Sequence, residues 1–159
     1  MEQANYLKAI VIGIGSFLTS ILGVLAIPTV LMVASNVTDY ITGLIASKFR
    51  EQDINSYRSM RGIFKKVGMW LLVIVGAILD VLLEYSLANL GIQIPFSFPV
   101  ASIVEVWITC NEIISNLENI QDIGVNIPGF LKPLVKNIQS QVEHQADILQ
   151  EDQENREEE

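Results

Sequence analysis

The sequence predicts an all-α fold: a multi-span helical membrane protein with four transmembrane helices, the first two as a hairpin, plus a C-terminal amphipathic helix. Three observations predict it. No charged residue occurs from Ala9 to Thr38, and an uncharged run of that length is a membrane signal. The stretch from Gly62 to Asn89 is uncharged between Val67 and Leu79; as a helix it is about 40 Å long, against roughly 30 Å of bilayer hydrocarbon. Finally, the charges gather outside these runs. The formal net charge of −8 hides a basic segment from Lys48 to Lys66 and an acidic end from Glu151 to Glu159. An apolar content of 50% is unremarkable as a total; its distribution decides the class. The expected division is a transmembrane helical domain over 1–125, a cytoplasmic amphipathic helix over 126–150 and a disordered acidic tail over 151–159.

The first helix is expected from about Tyr6 to Val24. Gly15, Thr19 and Gly23 recur at four-residue spacing, with Ser16 beside them, the small-residue pattern that lets membrane helices approach closely. The run is too long for a signal-peptide core and no small-x-small site follows it, so the N-terminus is expected to be retained. Pro28 then divides the apolar run, because proline suits a helix start and pushes the residue before it toward extended geometry. A single helix from Tyr6 to Phe49 would measure roughly 65 Å, about twice a bilayer. The second helix is therefore placed from about Pro28 to Phe49, with Asn36, Asp39 and Gly43 on one face. An amide, a carboxylate and a glycine on one stripe fit a helix contact or a hydrated surface better than lipid.

Lys48 to Arg61 reads as a polar loop. Arg50, Arg58 and Arg61, with Lys65 and Lys66, make the strongest cationic cluster in the chain. The positive-inside rule puts it in the cytoplasm. The third helix carries Asp80 and Glu84 four residues apart, on one stripe. Either they face protein or water at depth, or they reach headgroup water beside Tyr85. Gly91 to Pro99 forms a short external turn, and the fourth helix runs from about Val100 to Ile120. Its Glu105, Thr109, Glu112 and Asn116 advance by four, three and four, one continuous polar stripe. Four crossings place both termini in the cytoplasm.

Gly124 ends that helix, Asn126 to Gly129 is a linker, and an amphipathic helix begins near Phe130, with Pro133 tolerated in its first turn. Leu131, Val135, Ile138, Val142 and Leu149 keep a heptad rhythm broken at Gln145. This surface can self-associate or lie on the bilayer.

Catalytic chemistry is not expected. There is no nucleophile–base pair, no phosphate-binding glycine loop and no metal-ligand spacing, so neither an enzyme nor a cofactor is predicted. The single cysteine, Cys110, excludes an internal disulfide, and the lone His144 reads as solvated. The cations sit beside membrane helices and form no long basic face, so nucleic acid is not a partner. What remains is a set of acids on several helices: Asp39, Asp80, Glu84, Glu105 and Glu112. They are assigned to a hydrated or intersubunit face, with Gly15, Thr19, Gly23 and Gly43 in helix packing. Pairing with Lys65, Lys66, Asn36 and Asn111 inside a compact bundle is the alternative.

Asp39-Tyr40-Ile41-Thr42-Gly43, Ser59 and Gly62 before Lys65-Lys66, Leu79-Asp80, Asn111-Glu112, Glu118-Asn119, Gly124 and Pro128 together resemble the toxin-secretion/phage-lysis holin family over roughly Pro28 to Ile138. The resemblance implies a small phage or prophage protein that homo-oligomerises in the bacterial inner membrane. It also implies a functional partner, an endolysin or a toxin released to the cell wall without necessary direct contact. The acidic tail departs from the basic tail of many holins.

Overall fold

A computed structural model describes residues 5–10, 12–13, 15–16, 23–50, 56–91 and 99–157. Those residues form helices joined by turns, with no strand among them. The described residues before position 17 are helical, and Thr19 lies outside the described set. After a short 3-10 turn, Gly23–Leu25, come α1 (Ala26–Phe49), α2 (Ser56–Asn89), α3 (Pro99–Asp122) and α4 (Leu131–Glu157).

Helix α1 begins at Ala26, after a 3-10 turn that opens at Gly23. Its φ of +54° lies in the left-handed region that glycine enters freely, so Gly23 makes a turn. Pro28 is accommodated in the first turn of α1, where its missing N–H costs nothing. Helix α2 begins at Ser56, so Arg58 and Arg61 belong to a helix where a loop was expected. Helix α3 stops in a Schellman arrangement. Gly124, at φ +97°, donates to Gln121 O at 2.9 Å, and Val125 donates to Ile120 O at 3.3 Å. The last helix continues to Glu157, past the boundary at Gln150, so residues 151–157 are helical where a disordered tail was expected.

Helix α3 is the centre: α1, α2 and α4 all pack on it. From Pro99 to Ile120 only Trp107 and Glu118 are exposed. Contacts that climb both chains together, from Thr29 with Glu105 to Arg50 with Asp122, make α1 parallel to α3. Helix α2 is antiparallel to it, since Asp80 meets residues 100 and 101 while Lys66 meets Glu112. Helix α4 doubles back along the other side, Lys132 reaching Gln121 and Glu143 reaching Trp107. Of its apolar stripe, Val135 is buried within the chain, Leu131 and Val142 are half-buried and Ile138 stays exposed.

The outward faces of α1 and α2 are apolar. On α1, Ile27, Val30, Leu31, Val37, Ile41 and Ile45 are exposed at helical spacing. On α2 the covered or partly covered positions follow mainly a stripe advancing by three and four (Lys66, Met69, Val73, Gly76, Asp80), and apolar residues such as Leu71, Val75 and Leu82 project outward. Contiguous apolar surface of this extent marks an interaction with lipid or protein. Among the described residues two helices are long and apolar enough to cross a membrane, Gly23–Phe49 and Ser59–Asn89, where four crossings were expected. Helix α3 is not one of them: its inward polar stripe lowers its hydropathy.

Gly76 sets the spacing of α2 on α3. A Cβ there would stand 3.0 Å from the Cα of Ala101 and 3.2 Å from its nitrogen, both backbone atoms. Gly76→Val is expected to force the helices apart and destabilise by about 1–3 kcal/mol, read as a lower unfolding midpoint of the detergent-solubilised chain. Gly68→Ala, where a Cβ meets nothing within 4 Å, is expected to leave the midpoint unchanged or raise it.

Candidate functional site: a closed polar seam

The polar residues of α1, α2 and α3 meet along one seam. Its centre is Lys66, whose ammonium lies 2.9 Å from Asp39 Oδ2 and also pairs with Glu112 Oε2. One cation thus serves two acids from two helices, with the Lys66 and Asp39 side chains 15% and 17% exposed. The other Asp39 oxygen accepts from Asn119 Nδ2 at 3.0 Å. Asn119 also accepts from Arg50, whose guanidinium pairs with Asp122 at the mouth of the seam. Deeper in, Asn116 donates to Ser35 O at 3.1 Å and accepts from Thr42 Oγ1 at 3.1 Å. Gly43 lets Asn119 approach α1: its absent Cβ would lie 3.5 Å from Asn119 Nδ2. A crevice of about 300 Å³ bordered by Asp39, Lys66, Trp107 and Glu112 leads solvent toward the lysine.

Further along α3, Glu105 is fully buried. Thr29 Oγ1 donates to one of its carboxyl oxygens; the other has no partner among the described residues, and neither has Asn36 Oδ1. At the far end Asp80 acts across helices. Its Oδ1 accepts from Val100 N at 2.9 Å and its Oδ2 from Ala101 N at 2.8 Å. Pro99, the first residue of α3, has no N–H, so these are the first free donors of the helix. The carboxylate also meets the positive end of the helix dipole. Asp80 and Glu84 do not share a role, since Asp80 is buried and Glu84 is exposed.

In the single chain, then, Asp39, Asp80, Glu105 and Glu112 are brought inward and Glu84 is left out. Of the small residues proposed for packing, Gly43 makes its contact within the seam, and Gly23 forms a turn. Gly15 lies in the described helical part of the N-terminal segment, and Thr19 lies outside the described residues. Asn111 bonds to the carbonyl of Trp107 on its own helix and serves neither acid. Reasoning on single helices missed Thr29, Gly76 and the sharing of Lys66. The only signal for Lys66 was its position one turn inside the apolar run, where an unpaired ammonium is costly. No group of three or more His, Cys, Asp or Glu able to hold a metal occurs among the described residues.

Removing the shared cation leaves two facing carboxylates unneutralised. Lys66→Met is expected to cost about 3–5 kcal/mol, and adding Asp39→Asn and Glu112→Gln should recover most of it; thermal unfolding in detergent compares the three chains. Asp80→Ala is expected to cost about 0.5–2 kcal/mol through loss of the cap, with Asp80→Asn, which keeps an acceptor, less affected.

Comparison with known proteins follows this architecture. A family model described as the bacteriophage holin family matches residues 16–140. An uncharacterized 14.9 kDa protein in the nagH 3′ region of Clostridium perfringens is 29% identical over 134 residues, 84% of this chain and 93% of that protein. An uncharacterized protein of Listeria monocytogenes is 29% identical over 129 residues, 81% of this chain and 84% of that one. No solved structure matches. With the family model spanning most of its length, including the apolar helices and the polar seam, the chain belongs to the bacteriophage holin family.

Proposed function

We propose that the chain is a phage or prophage holin that oligomerises in the bacterial cytoplasmic membrane and forms lesions there, giving an endolysin or a toxin access to the cell wall. Membership of the holin family supports the class. The observation that carries the reading is the separation of surfaces. Apolar side chains of α1 and α2 face outward over a bilayer's thickness, while the acids of three helices are gathered on one inner seam. In this reading the seam is closed in a single chain and opens on assembly. Parting α1 and α2 from α3 turns Asp39, Asp80, Glu105 and Glu112 toward water or toward sister chains, with Glu84 already outside. The cost of unpairing Lys66 holds the closed form until enough copies accumulate. The basic residues at the α1–α2 connection, Arg50, Arg58, Arg61 and Lys65, lie on the cytoplasmic side. No reaction is assigned to the chain.

The rival is a non-lethal oligomeric scaffold or small ion channel, which the pairing of Lys66 with both Asp39 and Glu112 inside one chain favours. Inducible expression in a bacterium separates the two. The holin reading expects growth to stop abruptly, with entry of a membrane-impermeant dye and release of a co-expressed endolysin. Unchanged viability at high membrane levels of the chain rejects it.

A further inference from the structure

Helix α4 occupies a place that a membrane tolerates poorly. Between the contacts of Asp80 with residues 100 and 101 and of Lys66 with Glu112, Trp107 falls level with the middle of the uncharged run of α2. Glu143 of α4 accepts a hydrogen bond from Trp107 Nε1 at 2.9 Å, so it sits at that same level. It is exposed there, and so is His144 beside it. A charged side chain facing acyl tails at mid-depth is costly.

The face of α3 beneath α4 has the opposite character. Cys110 lies three residues from Trp107 and eleven from Gln121, one and three turns along the same stripe. Both of those neighbours bond to α4, and Cys110 is 4% exposed. From Val100 to Leu117 the only charged residues of α3 are Glu105 and Glu112. Both point the other way, to Thr29 and Lys66. What α4 covers is therefore Ile103, Cys110, Ile114 and Leu117, an uncharged apolar strip continuous in depth with the outward faces of α1 and α2.

The cover is lightly held. Lys132 lies 3.2 Å from Gln121 and 3.7 Å from Glu118, and the Glu143 bond is exposed. Exposed polar contacts of this kind contribute little. Val135 is the only buried residue of α4 among those whose exposure is described. The connection from Gly124 to Phe130 is not helical, so α4 can swing away without unwinding α3.

We propose that this strip of α3 is a lipid-binding surface. Helix α4 covers it in the compact chain; in the bilayer α4 leaves and acyl chains take its place. With its 24 residues, α3 measures about 36 Å and crosses the membrane once the strip is free. Its acids stay on the seam, and α4 with the acidic end passes to the aqueous side that also holds the cationic cluster. The inference rests on the membrane reading above and adds a conformational step to it.

The test uses the full-length chain in phosphatidylethanolamine–phosphatidylglycerol vesicles. Spin labels are placed at Asn111→Cys and His144→Cys in a Cys110→Ser background, and their separation is measured by pulsed electron paramagnetic resonance. In parallel, a Trp107→Phe chain reports insertion through quenching of Trp70 by brominated acyl chains, since Trp70 projects from α2 at 42% exposure. The expected result is quenching of Trp70 together with a long, broad distance distribution. A docked α4 keeps its axis about 8–10 Å from that of α3. A short, narrow distribution with Trp70 quenched therefore overturns the proposal and leaves the membrane reading standing. Absence of Trp70 quenching rejects the membrane reading and the proposal together.

Discussion

The ammonium of Lys66, held between Asp39 of α1 and Glu112 of α3, is the interaction on which the arrangement of the helices depends. Helices α1, α2 and α3 bring more acids than cations to the seam, and a buried carboxylate must be neutralised, hydrogen-bonded or hydrated. One lysine meets two of these needs. The others are met without a cation: Asp80 by backbone N–H groups of α3, and one oxygen of Glu105 by Thr29. Each solution requires a different helix to supply the partner, so pairing and packing are the same event. Helix α3 carries most of these groups and becomes the element against which the others are placed.

The seam also accounts for what lies outside it. Once the polar stripes of α1 and α2 are committed to α3, their remaining surfaces are apolar and project outward. That division is stable in a bilayer, where helices gain little from burying apolar side chains against each other and more from close approach and interhelical hydrogen bonds. Gly76 and Gly43 allow the approach; Asn116, Asn119 and Thr42 supply the bonds. A seam closed by strong but few interactions is costly to open in one chain, which is the property that the proposed assembly step relies on.

Much of this was legible in the residues. The extents of α1 and α3, the stop at Gly124 and the tolerated Pro133 follow from local rules, because capping, proline geometry and hydrophobic period act within a few residues; the start of α2 at Ser56 did not. Of the residues behind the family resemblance, Asp39, Thr42, Gly43, Lys66, Asp80, Glu112 and Asn119 lie along the seam, while Gly124 and Pro128 fall at the end of α3 and in the connection after it. The polar stripe of α3 was readable by its spacing. Its meaning was not, since the same stripe suits a hydrated face and a sealed one. Asp80 shows the difficulty most plainly: its partners are backbone groups 20 and 21 residues away, and backbone groups leave no trace in a sequence.

By itself the chain determined that it would be helical, that its apolar runs would be long enough for a bilayer and that its acids would fall on stripes. These are properties of single helices, set by spacing along the chain. Only the tertiary structure decided which stripe meets which, that one lysine would answer two carboxylates, and that α4 would lie back over α3. The reason is physical: pairing energies depend on distances between helices, and spacing along one helix says nothing about its neighbour.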